Sequence, residues 1–245
     1  MGPVDFFDRY DLLARIAPAL ITIASMSLLL AAIIPWQHLR WFNVIGSLLG
    51  SSIVLIIVLY LMADLARQRG HAIEPGLITQ MGGLPSTTMM RYSDSTLDST
   101  TKEHLHKFLS SKLNIKAPTV ADEASDPAAA DQFYTSGANW LRENTRDHKK
   151  FNILFNENIN FGFHRNLLGL KPFALVLDIL VVGICSIWLM RLIWLGRRFR
   201  AITLFILIAI AALHAAYFGF AVTQQSAIDA ARIYARQLIL SFEAL

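Results

Sequence analysis

Four long apolar runs, arranged as two pairs around a polar middle, set the pattern of this 245-residue chain. The runs cover residues 16–34, 44–62, 173–190 and 202–220. A helix needs about 20 apolar residues to cross a hydrocarbon core of about 30 Å. The runs approach that length, and neither the first nor the second shows the polar face of a helix in a soluble core. The pattern therefore predicts four membrane-spanning helices.

The connections within each pair are short, so each pair is expected to form an antiparallel hairpin. The predicted fold is an all-α membrane protein in which two transmembrane helical hairpins flank a small, mainly helical extramembrane domain. The predicted segments are an interfacial lead-in helix (1–15), transmembrane hairpin 1 (16–64), a mainly helical soluble domain (65–171), transmembrane hairpin 2 (172–221) and an amphipathic C-terminal helix (222–245).

The polar middle carries helix signals of its own. A capping-box pattern at Thr100 and Glu103 predicts a helix that runs to about Leu113. Asp126 followed by Pro127 is typical of a helix start, and this second helix is expected to reach about Thr145. Before them, residues 70–100 are rich in Gly, Pro, Ser and Thr and predict an ordered loop.

The formal net charge is +4, and the basic residues flank the apolar runs. Positive charges in those places anchor helices and set their orientation. We therefore expect the lipid bilayer as a partner and no nucleic acid. The single cysteine, Cys185, lies in the third run, so no disulfide can form within the chain. This fits a reducing compartment, although periplasmic domains without disulfides also occur.

Four spans would put both termini and the middle domain on one side of the membrane. That side holds eight flanking positive charges against five on the other, although four of those five share the short connection between the last two runs. The acidic N-terminus is not typical of a signal peptide, so the first run is expected to stay in the membrane. We predict a multi-pass protein of the bacterial cytoplasmic (inner) membrane with a cytoplasmic domain. The eight are Arg9, Arg15, Arg67, Arg69, Arg165, Lys171, Arg232 and Arg236; the five are Arg40, Arg191, Arg197, Arg198 and Arg200.

Asp178 is a carboxylate inside an apolar run, and such residues are candidates for function. His214 lies at nearly the same depth in the fourth run, given a rise of about 1.5 Å per residue. An Asp178–His214 pair is therefore expected in the second hairpin. It would be a proton site or line a pore; the alternatives are a structural hydrogen bond and a carboxylate that reaches the interface.

The sequence offers one candidate anion site, in the glycine-rich loop that begins at Gly82. Glycines expose N–H groups, hydroxyls donate, and arginine or lysine supplies charge, but the loop lacks the ending of a P-loop. The alternative is an ordinary turn next to a solvated helix face. The predicted anion ligands are Gly82, Gly83, Ser86, Thr87, Arg91, Arg142, Lys149 and Lys150.

Two further patterns concern packing and metals. Gly46 and Gly50 form a GxxxG motif, which predicts a close helix-packing face or arises by chance. His104 and His106 stand two residues apart, and on a helix such residues point to different faces. No Cys or second His pair completes a tetrahedral set, so we expect no metal and no cofactor.

Residues 82–98 and 158–175 resemble a pattern in an uncharacterised family of bacterial four-span membrane proteins. The layout of two hairpins around one domain is similar to that of membrane effectors of bacterial anti-phage defence and, more loosely, to the flagellar stator. The likeness to these effectors and to the stator is one of layout and not of motif, and the resemblance attaches no established function to the chain.

Three hypotheses about function follow. The first is a non-enzymatic homo-oligomer that opens a pore or conductance when its cytosolic domain binds a protein or small-molecule signal. The second is a scaffold subunit of an envelope, secretion or conjugation complex. The third is a membrane enzyme that acts on a phosphate-containing substrate through Asp94, Asp98 and His104.

Overall fold

The computed structural model describes residues 8–33, 50–195 and 198–245. For residues 50–55 and 198–200 it describes the backbone only. Within these ranges every regular element is helical, and no strand occurs. The helices are α1 (Ala17–Ile33), α2 (Gly50–Gln80), α3 (Pro85–Thr88), α4 (Ser99–Leu113), α5 (Val120–Ser125), α6 (Pro127–Asn144), α7 (Asn152–Trp194), α8 (Arg198–Ala216) and α9 (Gln224–Leu240). Two π-helical turns, Asp11–Ile16 and Tyr217–Ala221, precede α1 and follow α8, and a 3-10 turn, Ser241–Ala244, follows α9.

Three described helical stretches are long and apolar enough to cross a bilayer, which suggests a membrane protein. They are Asp11–Ile33, Asn152–Trp194 and Ala201–Ala221, with mean hydropathies of 2.2, 2.5 and 2.3. The predicted run 44–62 falls partly on residues outside the described ranges. The helical fold and its apolar helices are confirmed, whereas the four spans and the two hairpins stay predictions.

The chain divides into two compact units, and the division differs from the predicted segments. Unit 1 contains the described residues up to Ile73 together with Gly162–Ser226, and unit 2 contains Glu74–Phe161 and Ala227–Leu245. Most of the amphipathic C-terminal helix thus belongs to unit 2. The apolar side of α9 explains this, because Ala235, Leu238 and Ile239 are buried in the core of that unit.

Two long helices each contain an internal proline. Pro172 lies inside the 43-residue helix α7, and Pro75 lies inside α2, which continues to Gln80 in place of the expected loop. A proline removes one backbone hydrogen bond and usually kinks a helix. Burial of Leu77 in unit 2 gives the continued turns of α2 an apolar anchor. Helix length is here set by packing as well as by local propensity.

Close helix crossings hold unit 1 together on one side of α7. A Cβ added to Gly169 would lie 2.5 Å from the backbone oxygen of Arg69 on α2. Asn166, one turn earlier, is fully buried and donates its Nδ2 hydrogen to the Ala14 carbonyl oxygen at 2.7 Å. At Gly162 an added Cβ would meet Ala14 at 2.9 Å. Small residues therefore let the chain around Ala14 and α2 approach the α7 backbone closely.

Further along α7, unit 1 has an apolar core shared with α1 and α8. Leu29 of α1 packs there with Val181 and Cys185 of α7 and with Leu207 and Ala211 of α8. These five side chains are all nearly inaccessible. The same three helices also carry polar groups, and packing in this core holds the helices in register with one another.

Unit 2 is a helical cluster with a core of its own. Helix α4 is confirmed, but its cap is Asp98, which accepts the Thr101 N–H at 2.9 Å, so the predicted cap at Thr100 is wrong. The Asp98 side chain reaches this amide because Asp98 keeps an extended backbone at the helix entrance. Helix α6 begins as predicted, with Asp126 as the cap and Pro127 in the first turn.

Candidate functional site

The structure brings Asp178 and His214 together in unit 1. Both carboxylate oxygens of Asp178 on α7 lie 2.9 Å from Nδ1 of His214 on α8. The other ring nitrogen, Nε2, lies 2.8 Å from the Ile21 carbonyl oxygen on α1. The Asp178 side chain is 3% exposed and that of His214 is 12% exposed. One polar contact thus joins three helices that are each apolar enough to span a membrane.

The hydrogen-bond partners fix how many protons this group holds. A carbonyl oxygen can only accept, so Nε2 of His214 carries a hydrogen. The contact between Nδ1 and the Asp178 carboxyl group needs one more hydrogen, on either side of the bond. Both arrangements leave the pair with no net charge, which suits an apolar environment. Without that hydrogen, a lone pair of the ring would face an oxygen atom. Either the contact with Asp178 or the contact with the Ile21 carbonyl oxygen would then be lost.

A hydroxyl without a partner lies on the same face of α1. Ser25 follows Ile21 by one helical turn and precedes Leu29 by one, and its Oγ is buried with no hydrogen-bond partner among the described residues. Thr22, by contrast, donates its hydroxyl hydrogen to the Pro18 carbonyl oxygen at 2.8 Å. A buried polar atom without a partner is uncommon and marks a position to test.

At the end of α8, a lysine of α7 satisfies backbone carbonyls. Nζ of Lys171 donates to the Val222 oxygen at 2.8 Å and to the Gly219 oxygen at 3.2 Å. The last carbonyls of a helix lack intrahelical partners, and a cation there is favoured by the helix dipole. This contact fastens the end of the second predicted hairpin within unit 1.

The predicted anion loop starts with a helix cap. The N–H of Gly83 donates to the Ile78 carbonyl oxygen at 3.0 Å, and that of Gly82 donates to Thr79 at 3.2 Å. With Gly82 at a φ of 71°, this arrangement is a Schellman cap of α2. The two amides are thus used by the helix end and are not free to bind an anion.

The remaining predicted anion ligands do not converge on one point. Arg91 is held by Asp131 through Nε at 2.8 Å and Nη2 at 2.6 Å. Ser86 and Thr87 are buried, and Arg142 donates to Asn139. Lys149 and Lys150 have exposed side chains next to the turn formed by Asp147. Anion binding by this particular set stays a prediction.

Two cavities in unit 2 separate these residues. Cavity A, of about 590 Å³, includes Ser86 and Arg142 in its lining. Cavity B, of about 650 Å³, is lined in part by Gly82, Arg91 and residues of α9. Lys149 and Lys150 are not among the residues that line either one.

Three buried polar side chains hold the loop 89–97 in place. The sequence analysis did not identify them as a group. Lys102 donates to the Arg91 and Asp94 carbonyl oxygens. His106 contacts the Met90 oxygen through Nε2 at 2.9 Å and the Tyr92 hydroxyl through Nδ1 at 3.1 Å. The third side chain is Glu123.

Glu123 accepts three donors in the same loop and core. Its carboxylate accepts the Tyr92 N–H at 2.9 Å, the Ser93 N–H at 3.2 Å and the Tyr134 hydroxyl at 2.7 Å. Burial tends to raise the pKa of Glu123, but these hydrogen bonds outweigh it and keep the pKa below the usual value. The loop is therefore fixed by satisfied buried groups, not by apolar contacts alone.

A sequence signal for part of this network exists. On α4, Lys102 and His106 stand one turn apart, and each lies three residues before a buried leucine, Leu105 and Leu109. A lysine and a histidine at core positions of an amphipathic helix indicate buried partners. Glu123 lies in the two-turn helix α5 and gives no comparable pattern.

Protonation of His106 is expected to weaken unit 2. Burial is the main reason why the pKa of His106 is lowered, so the unfolded chain takes up a proton at a higher pH than the folded one. The contribution of His106 to the free energy of unfolding should be fully present above about pH 7. It should fall as the pH drops through about 6.5, by at most about 1.4 kcal/mol per pH unit. Hydrogen exchange of α4 amides at pH 7.5 and 5.5 measures this.

The matched control for that experiment is His104→Gln, because His104 is exposed on the same helix. His104→Gln should keep the pH dependence, and His106→Gln should flatten it. An unchanged slope in His106→Gln would show that another group causes the effect.

The two aspartates of the enzymatic hypothesis form hydrogen bonds with nearby backbone groups, and its histidine lies on the surface. Asp94 accepts the Thr96 N–H at 2.7 Å, Asp98 caps α4, and His104 is exposed. Within the described ranges, no group of three or more His, Cys, Asp or Glu side chains is arranged to hold a metal ion. Of the predicted packing motif, Gly46 lies outside the described residues and Gly50 is described only as the first residue of α2, so that motif stays a prediction.

No protein family, curated protein or solved structure matches this chain.

Proposed function

We propose that this protein is a four-span homo-oligomer of the bacterial inner membrane that alters the membrane when its cytoplasmic part binds a signal. In this proposal it is a channel-like effector and not an enzyme, and unit 2 is the part that receives the signal. The proposal extends the three apolar helices of the described structure by the second apolar run, residues 44–62.

The contact of Asp178 and His214 with the Ile21 carbonyl oxygen carries this proposal. It joins three apolar helices through one hydrogen-bonded group, so a change at this group alters how α1, α7 and α8 contact one another. Ionisable groups within apolar helices are costly and often mark ion or proton paths. A proton-linked contact between helices is a suitable gate, since one chemical event changes the helix packing.

The expected result is that induced expression depolarises cells, measured with a potential-sensitive dye. Asp178→Asn should change the leak at least about tenfold. The substitution alters a hydrogen bond to a charged group, which contributes about 1.4 kcal/mol or more, and that energy corresponds to a factor of about ten. Protein level and oligomer size should be unchanged. The matched control is Asp64→Asn in α2, because Asp64 contacts the exposed Gln68 at 2.7 Å.

Two results would contradict the proposal: a monomer in mild detergent that causes no leak, and equal effects of the two substitutions. Orientation is tested in a Cys185→Ala chain that carries Ser110→Cys in unit 2. Labelling only after permeabilisation supports a cytoplasmic unit 2, and labelling of intact cells contradicts it.

A scaffold subunit is the second candidate, and one observation favours it. Both ring nitrogens of His214 and both oxygens of Asp178 are satisfied within a single chain, as in a purely structural contact. A scaffold predicts harmless expression and co-purification with other envelope proteins.

A further inference from the structure

Two arginines of α9 line cavity B side by side. Arg232 and Arg236 stand one turn apart, and both are exposed. Within the described part of the chain, neither has a hydrogen-bond or ion-pair partner. Like charges at this spacing destabilise a helix by a few tenths of a kcal/mol. An anion between the two guanidinium groups would remove that cost.

Three other basic side chains of unit 2 are paired with carboxylates. Arg91 pairs with Asp131, Lys107 with Glu103, and Arg146 with Glu143. Asp94 lines cavity B as well, but its carboxylate accepts the Thr96 N–H at 2.7 Å and no arginine. Among the described residues, neither Arg232 nor Arg236 therefore has a carboxylate in an ion pair with it.

Residues of the loop 89–97 form another part of the lining of cavity B. The backbone of this loop is held by Lys102, His106 and Glu123. Arg91, which also lines the cavity, is fixed in two places by Asp131. A wall that is already ordered lowers the entropic cost of binding. Thr96, a residue with a hydroxyl group that can donate a hydrogen bond, also lines the cavity.

We propose that cavity B binds a phosphate ester, whose phosphoryl oxygens accept hydrogen bonds from Arg232 and Arg236. Guanidinium groups match phosphate oxygens in pairs, and such charge-assisted bonds are strong. The volume of about 650 Å³ exceeds that of a bare phosphate and suits a small organic ester. The inference rests on the proposed function in one respect, that unit 2 receives a ligand.

The same phosphoryl group can belong to a soluble metabolite or to a lipid headgroup, and the experiment separates these sources. The full chain is placed in phosphatidylcholine nanodiscs and titrated with inorganic phosphate at constant ionic strength, with chloride as the control anion. In a second arm, phosphatidic acid replaces part of the lipid. Hydrogen exchange is followed in the segments 88–97 and 229–237.

Phosphate or phosphatidic acid should protect both segments. The double substitution Arg232→Gln and Arg236→Gln should weaken the apparent affinity at least about tenfold, because two charge-assisted hydrogen bonds are lost. The matched control, Lys149→Gln with Lys150→Gln, also removes two exposed positive charges but leaves cavity B untouched. Unchanged exchange in α4 and α6 shows that each variant is folded.

Protection in the first arm supports a soluble ester, and protection in the second arm alone supports a lipid headgroup. No protection in either arm, or equal loss in both double variants, overturns the site. A chain that binds phosphate but never depolarises cells contradicts only the proposed function. A chain that depolarises cells without phosphate protection contradicts only this site.

Discussion

Gly169→Ala is expected to destabilise unit 1 by about 3 kcal/mol or more. The new Cβ would lie 2.5 Å from both the carbonyl carbon and oxygen of Arg69 and 2.8 Å from the Gly70 nitrogen. These are backbone atoms of α2, so no side-chain rotation relieves the clash and the two helices must separate. Forced overpacking costs about 1–3 kcal/mol and sometimes more, and a backbone clash belongs at the upper end. Thermal unfolding in detergent, followed by size-exclusion chromatography, measures the loss.

The same helix offers a matched control. Around Gly183 nothing lies within 4 Å of an added Cβ, so Gly183→Ala should be neutral or stabilise α7 by up to about 1 kcal/mol through helix propensity. Gly70→Ala should be intermediate, since its nearest neighbour is the Oδ1 atom of the Asn166 side chain. Equal stability of the Gly169 and Gly183 variants would contradict the crossing of α2 and α7.

Glu123→Ala is expected to release the loop 89–97. The substitution removes the acceptor of two backbone N–H groups and of the fully buried Tyr134 hydroxyl. Each buried donor left without a partner costs about 1–3 kcal/mol, so a loss on the order of 3–5 kcal/mol follows if water reaches part of the site. Hydrogen exchange of the Tyr92 and Ser93 amides should rise by more than about a hundredfold.

The control for this prediction is Glu103→Gln. Glu103 pairs with Lys107 on the surface, where ion pairs contribute about 0–1 kcal/mol, so little change is expected. A double-mutant cycle of Glu123→Gln with Tyr134→Phe isolates the hydroxyl bond from the two amide bonds. If Glu123→Ala left the Tyr92 and Ser93 amides as protected as before, the carboxylate would not hold the loop.

Local patterns predicted much of the fold because they act over a few residues. The apolar runs predicted the helices of unit 1, and the Asp126 cap with Pro127 predicted the start of α6. Helix α4 was also found, although the cap was placed two residues too late. Signals of this kind need only one turn of chain.

Several contacts between segments that are distant along the chain could not be predicted from the sequence. Gly169 has no local signature that distinguishes it from Gly183, since only the approach of α2 separates them. The predicted anion residues do not converge, because Ser86 and Arg142 line cavity A whereas Gly82 and Arg91 line cavity B. Arg232 and Arg236, which come from far along the chain on α9, were not predicted to lie beside them. The Asp178–His214 contact was within reach of the sequence since both lie at matching depths in neighbouring runs.

The return of α9 to unit 2 fixes an order of events during synthesis. The segment Glu74–Phe161 leaves the ribosome early, yet Leu238 and Ile239 complete its core only after the whole of Gly162–Ser226 has been made. Nascent chains otherwise tend to fold domain by domain from the N-terminus. The nascent unit 2 must therefore keep this apolar surface uncovered while two candidate membrane helices are still being made. Chaperone demand during translation should therefore centre on this segment, and not on the apolar helices themselves.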